Sequence, residues 1–251
     1  MNTLGVILAR SGSVGLPNKH LLPLLGPPVI GYTFDHARHS KRLSRIAVSS
    51  DCPQILAMAK WAGFDAIKRP ADLATSEASV QDVMLHAMHG VEQSDPTFRA
   101  GALVVLYGNV PVRGEGVIDR CIDMLESTGC DSVRTFCPVG KWHPSWMWKL
   151  GADGSAPAKH ADNGSIHRRQ DLEKLFLHDG AAVAVTRASM LRGEANPGDP
   201  HAFFGTNWRA VETAMDETVE VDHLRDLYWA EAVLRERQEK QRKPQARRMA
   251  S

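Results

Sequence analysis

The residues best placed to do chemistry come first at positions 9–19, which read Ala-Arg-Ser-Gly-Ser-Val-Gly-Leu-Pro-Asn-Lys. This segment joins a short apolar run to an apolar-periodic stretch. Such a turn from strand to helix lets backbone N–H groups converge on an anion. Gly12 and Gly15 allow close backbone approach, Ser11 adds a hydroxyl, and Arg10 and Lys19 bring positive charge. The chemistry that fits is cradling a phosphate chain. Neither the GxxxxGK[ST] nor the GxGxxG order is present, which argues against kinase-like and hydride-transfer sites. An ordinary strand-to-helix turn with two solvated cations fits the same spacing. A second cluster is Glu220, Asp222 and Asp226. On a strand, Glu220 and Asp222 project to one side, and paired carboxylates there suit a divalent cation. Asp226 lies four residues on, where it can support Asp222. The alternative is a solvated strand end followed by an acid at a helix N-terminus.

The elements that must position these groups alternate. Short apolar runs at 3–9, 45–50, 102–106 and 131–135 read as strands. Stretches at 29–38, 53–62 and 116–127 read as helices. That order predicts βαβ units and a mostly parallel, doubly wound sheet with ligands at the carboxyl ends of its strands. Between 138 and 177 the pattern breaks into turns carrying Trp142, Trp146 and Trp148, which predicts an inserted arm. Those tryptophans suit either a partner surface or a buried cluster over the sheet edge. A return strand is expected at 180–185, a short strand at 218–221 and a helix at 224–235. One domain over 1–235 follows, with a charged, Gln-rich tail at 236–251 that has too few apolar residues to fold.

With 43% hydrophobic and 24% charged residues and a formal net charge of +1, the chain reads as an ordinary globular protein. It has no footprint for nucleic acid or a membrane surface. The basic stretch 242–248 reads as solvated. Cys52, Cys121, Cys130 and Cys137 have neither zinc-site spacing nor disulfide density, so reduced thiols in a cytoplasm are expected. His36/His39 and His86/His89 lie at i,i+3 on helices. Lacking an obvious third ligand, they read as solvated faces.

The run LARSGSVGLPNKHLLPLLGPPVIGYT at 8–33 resembles the N-terminal motif of the acylneuraminate cytidylyltransferases, ARxxSKGxPxKN followed by a PL-hydrophobic helix. The resemblance continues, in order, through Val48-Ser49-Ser50-Asp51, Arg69-Pro70-Ala71-Asp72-Leu73-Ala74, Ala78-Ser79 and Pro111-Val112-Arg113. It resumes at Arg169-Gln170-Asp171-Leu172 and at Val219-Glu220-Val221-Asp222 with Asp226-Leu227. It implies a Rossmann-like nucleotidyltransferase fold with an inserted dimerisation arm. It implies transfer of CMP from CTP to a nonulosonic keto-sugar acid, with release of pyrophosphate. By this resemblance Arg10 and Lys19 hold the triphosphate with the backbone at Ser11 and Gly12. Arg69, Ser79 and Asn109 lie at the nucleotide, and Arg169, Gln170 and Asp179 at the sugar. Asp222 and Glu220 ligate Mg2+. The arm exchanges within a homodimer.

The sequence also departs from the family pattern. Val14 stands at the loop lysine and His20 at the usual asparagine. Tyr107-Gly108-Asn109-Val110 replaces the start of QPTSPLR, and Asn109 stands at the aspartate of the related QGDEP motif. Asp179 replaces the asparagine of RxNGAIY, and Glu220 the first metal aspartate. These changes suggest an acceptor other than ordinary sialic acid. They leave two alternatives: a nucleotidyltransferase with another sugar or nucleotide, or a nucleotide-binding homologue without turnover.

Overall fold

The computed structural model describes residues 1–12, 15–154, 158–159, 166 and 168–249, the side chains of 158–159 and 241–249 excepted. Val14 therefore lies outside the described residues, as does much of the middle of the expected arm. Strand β1 (Thr3–Leu8) is wholly buried. It is followed by helix α1 (Val29–His39), β2 (Arg45–Ser50), α2 (Pro53–Trp61), β3 (Asp65–Lys68), α3 (Val80–Ser94) and β4 (Ala102–Tyr107). Then come α4 (Val117–Thr128), β5 (Ser132–Pro138) and the two-residue strands β6 (Trp148–Lys149) and β7 (Ala158–Lys159). The chain closes with β8 (Phe176–Thr186), α5 (Arg187–Glu194), β9 (Trp208–Glu212) and α6 (Leu224–Met249).

The main sheet has the order β3-β2-β1-β4-β8-β5-β9. β1, β2, β3 and β4 pair in parallel, β8 runs antiparallel to both β4 and β5, and β9 pairs parallel with β5. The sheet is thus mostly parallel and covered by helices on both faces, a Rossmann-like nucleotidyltransferase architecture. Alternation explains the two layers. Ile7, Val104 and Leu106 face α1, α2 and α4, whereas Leu4, Val6, Leu103 and Val105 face α3 and α5. A third cluster, of Leu24, Val29, Val112, Val219, Val221 and Ala230, seats α6 against the loop after β4. The strand order switches sides at β1, with β2 and β3 on one side and β4 on the other. The carboxyl ends of β1 to β4 therefore share one edge, the place where open α/β sheets bind ligands.

Three expectations change. The segment 218–221 is not a strand; it makes one antiparallel bridge, Val219 to Val112. Val219 N–H donates to Val112 O (3.2 Å) and Val221 N–H to Asn109 O (2.7 Å), but Pro111 between them has no N–H to extend a ladder. The helix expected to end at residue 235 runs on to Met249. Glu236 and Lys240 pair at i,i+4, and Arg237 anchors that turn by donating to the carbonyls of Arg113 (2.7 Å) and Glu217 (3.3 Å). Strands β3 and β9 and helix α5 were not anticipated, because each is short and mostly exposed on one side.

Candidate active site

A cleft of about 450 Å³ opens at the shared carboxyl edge. Leu8, Arg10, Gly15, Leu16, Lys19 and His20 line it at and after the end of β1, Arg69 after β3, and Tyr107 and Asn109 at and after the end of β4. Thr75, Ser76, Ala78, Val80 and Val83 add the wall before and within α3, and Glu220, Asp222 and His223 close it. The loop and the carboxylates, 200 residues apart in sequence, meet because Gly15 allows it. A Cβ on Gly15 would stand 2.8 Å from the Asp222 carbonyl oxygen.

Asp51, one residue beyond β2, holds the loop. It accepts from Ser11 N–H at 2.8 Å and from the Ser11 hydroxyl. Burial pushes the Asp51 carboxyl up, but these Ser11 bonds outweigh it and leave it below the usual range. Arg10 turns onto the Gly12 carbonyl. Arg69 is buried and donates to the Ser49 hydroxyl (3.2 Å) and carbonyl (3.0 Å); desolvation lowers it to about 10.

The acidic side is more tightly knit. Lys19 Nζ lies 2.5 Å from Asp222 Oδ1. The Asn109 amide nitrogen is within reach of Glu220 Oε1 (3.1 Å), Asp222 Oδ1 (3.3 Å) and the Val221 carbonyl (3.2 Å). Asp226 supports the turn by accepting from the backbone N–H groups of Asp222 (3.0 Å) and His223 (2.8 Å). Burial and the neighbouring Asp222 raise the Glu220 carboxyl above its ordinary value, against the Asn109 amide, Lys19 and Arg113. Among the described residues no group of three His, Cys, Asp or Glu side chains forms a metal cage. Two carboxylates at the mouth of an anion loop nonetheless fit Mg2+, which takes one or two protein carboxylates and completes its shell with water and substrate phosphate.

Arg113 underlies this whole edge. Fully buried, it donates to the carbonyls of Tyr107 (2.8 Å), Val110 (2.6 Å) and Ala181 (2.7 Å) and to the Thr33 hydroxyl (2.9 Å). It spans α1, β8 and the loop after β4, and so fixes where Tyr107 and Asn109 stand.

Of the residues singled out from the sequence, Arg10, Lys19, Arg69, Asn109, Glu220 and Asp222 meet in the cleft. Ser11 and Gly12 form the adjoining loop. Ser79 does not line the cleft. It is the N-cap of α3, accepting from Asp82 N–H at 3.0 Å and donating to Asp82 Oδ2 at 2.7 Å. Asp179 also points elsewhere, its carboxylate taken by the hydroxyls of Thr135, Thr213 (2.5 Å) and Thr218 (3.0 Å) and by Ala181 N–H (3.1 Å). An aspartate with its acceptor sites so filled holds strands together and has no lone pair free for a sugar. Arg169 and Gln170 sit exposed on a 3-10 turn and do not line the cleft. Asp51, His20 and Ser76 received no role from the sequence. For Asp51 the available signal was an acid directly after a buried strand. His20 is buried, and desolvation and then Lys19 lower it to about 4. His36, expected on a solvated face, is within 3.2 Å of Arg113 Nη1 and is lowered to about 3 by burial and then that cation.

The tryptophans of the arm divide. Trp142 and Trp148 are exposed, whereas Trp146 is half-buried with its indole N–H on the Ile166 carbonyl at 3.0 Å. The four cysteines are free thiols. Among the described residues no helix is long and apolar enough to cross a membrane.

Comparison with known proteins bears on the family and the fold. The cytidylyltransferase family model matches residues 4–199. The N-acylneuraminate cytidylyltransferase of Streptococcus agalactiae serotype V is 30% identical over 230 residues, 90% of this chain and 52% of the relative. The CMP-N,N'-diacetyllegionaminic acid synthase of Legionella pneumophila is 31% identical over 156 residues, 62% of this chain and 66% of that one. The chain spans about half the length of the streptococcal relatives it matches. A solved structure of CMP:2-keto-3-deoxy-manno-octonic acid synthetase complexed with CTP superposes with a TM-score of 0.69 at 19% identity. That match covers 94% of this chain and all of that one, a likeness of fold. Matched over most of its length by one family model, the chain is a member of the cytidylyltransferase family.

Proposed function

We propose that the chain is a Mg2+-dependent cytidylyltransferase that transfers CMP from CTP to a nonulosonic or similar keto-sugar acid and releases pyrophosphate. The observation that carries the reading is the convergence of Arg10, Lys19, Asn109, Glu220 and Asp222 on one cleft at the carboxyl edge of the sheet. The acceptor hydroxyl attacks the α-phosphorus in line as the bond to the pyrophosphate oxygen breaks. This chemistry requires positioning and charge neutralisation more than a covalent catalyst. Arg10, Lys19 and the loop amides receive the triphosphate, and Asp51 keeps the loop in shape. Arg69 and the 75–78 wall lie on the β2–β3 half, where the nucleoside extends. Tyr107 and Glu220 bound the β4–β8 half, which is left for the acceptor. Asp222 and Glu220 would hold Mg2+, whose charge polarises the α-phosphate and screens the approaching oxygen. The exposed Trp142 and Trp148 support an arm-exchanged homodimer. In that assembly Arg169 and Gln170, which do not line the chain's own cleft, would serve the partner's site. The family's usual setting makes a cytoplasmic location the matching expectation.

The test is pyrophosphate release from purified protein with Mg2+, each of the four nucleoside triphosphates, and a panel of keto-sugar acids. Release with CTP and one acid is expected. Stabilisation by CTP without release on any acceptor would replace turnover with a binding role. Release with another nucleotide would overturn the cytidine assignment.

A further inference from the structure

Resting on that reading of the cleft, a further property emerges from its charges. Lys19 is the cation expected to meet the triphosphate, yet its ammonium lies 2.5 Å from Asp222 Oδ1, an oxygen a divalent cation would use. The same oxygen is within 3.3 Å of the Asn109 amide, which also reaches Glu220. Lys19 is largely buried, with a side-chain exposure of 15% against 52% for Asp222. It stands in a short 3-10 helix, Lys19–Leu21, whose backbone is held by Leu21 N–H on the Asn18 carbonyl at 2.8 Å. The ammonium therefore has one anion in contact, Asp222, and on the proposed reading would meet a second, the triphosphate, from the same fixed stem.

We propose that Lys19 is an exchangeable counter-ion: it neutralises Asp222 in the free protein and passes to the triphosphate when a divalent cation takes its place. Two costs follow. A cation arriving alone must displace an ammonium from its own ligand oxygen and leave that ammonium without a partner. A nucleotide arriving alone must draw Lys19 away and leave Asp222 facing phosphate unneutralised. Each ligand removes the penalty that the other meets, so their affinities are coupled, and by linkage the coupling is equal in both directions. Asn109 fits this scheme. It steadies both carboxylates without adding a negative charge, which leaves one lysine sufficient to neutralise Asp222 in the empty cleft.

The experiment needs no acceptor and no turnover. Mn2+ is titrated into nucleotide-free protein and free Mn2+ is read by electron paramagnetic resonance. Lys19→Met is expected to bind Mn2+ about tenfold more tightly than wild type, because a charge-assisted contact on the ligand oxygen is gone. Lys19→Gln should follow it. Arg10→Met removes a cleft cation that does not touch Asp222 and should change the affinity less than about twofold, within ordinary screened electrostatics. Unchanged or weaker Mn2+ binding in both Lys19 variants overturns the proposal, as does an Arg10 effect equal to that of Lys19. The reverse arm measures CTP binding by calorimetry in EDTA. Asp222→Asn should bind CTP more tightly than wild type without a cation and less tightly with one; loss in both conditions overturns it. The outcome is separable from the activity. Coupled binding without pyrophosphate release rejects turnover alone, and release with uncoupled binding rejects the exchange alone. Absence of Mn2+ binding by every variant rejects the exchange, whatever the pyrophosphate assay returns.

Discussion

Asp179 offers the sharpest test of the site's boundaries, because the family pattern places it at the sugar and the geometry places it inside the scaffold. Its carboxylate accepts four hydrogen bonds, from Thr135, Thr213, Thr218 and Ala181 N–H, and so joins β5, β8, the end of β9 and the segment leading to Glu220. Asp179→Ala would strand that amide and the Thr218 hydroxyl. Thr135 and Thr213 keep second acceptors in the carbonyls of Ala182 (3.3 Å) and Phe136 (3.2 Å). A hydrogen bond to a charged group is worth about 1.5–3 kcal/mol, and these four are not additive, so the loss should be about 3 kcal/mol. For a chain of this length that corresponds to a fall in Tm of roughly 6–12 °C. Asp179→Asn should cost about half as much, since threonine hydroxyls can turn to accept from the new amide. Urea unfolding followed by tryptophan fluorescence gives the free energy. Steady-state kinetics well below the transition give KM for the acceptor. The reasoning fails if Asp179→Ala unfolds within about 1 kcal/mol of wild type while acceptor KM rises tenfold or more. That result would return Asp179 to the sugar.

Ser79→Ala should lower stability by about 1 kcal/mol through loss of the α3 N-cap and leave the calorimetric affinity for CTP unchanged. A drop in CTP affinity at full stability would put its hydroxyl back in the nucleotide site. Stability should also fall in mild acid. Burial holds the folded His20 (about 4) and His36 (about 3) below the ordinary histidine value of 6.5, so the unfolded chain takes up protons first as pH falls below about 6.5. His20 alone should remove about 2 kcal/mol between pH 7.5 and pH 5. His20→Gln should flatten that part of the urea-midpoint profile, and an unaltered profile would refute a neutral buried imidazole.

The phosphate loop was legible in the sequence because it is local. Arg10, Ser11, Gly12, Gly15 and Lys19 lie within ten residues, between a fully apolar strand and a helix, and a strand-to-helix turn determines most of what such a segment can do. The parallel core was legible for a related reason: strands buried on both faces read as apolar runs, unbroken in β4, led by a threonine in β1 and shortened to Ile46-Ala47-Val48 in β2. The pairing of Glu220 with Asp222 also came through, although the strand expected to carry them is a single bridge. Residues two apart in any extended backbone share a side.

What the sequence did not contain was direction. Ser79 and Asp179 carry the same chemical groups whether they face a ligand or a neighbouring strand. Only the tertiary structure shows Ser79 turned onto the start of its own helix and Asp179 closed in by three threonines. β9 and β3 were invisible because a short edge strand that buries one residue or none has little apolar signal. The turn of α6 just past residue 235 is tied down by a contact no local pattern reports, Arg237 reaching the carbonyls of Arg113 and Glu217. The ion pair between Lys19 and Asp222 belongs to the same class. Its partners are separated by 203 positions, and their meeting depends on Gly15 letting two backbones close to a distance that any β-carbon would forbid. Local patterns determine what a segment is able to hold. Long-range packing decides which of its polar groups remain free to hold it.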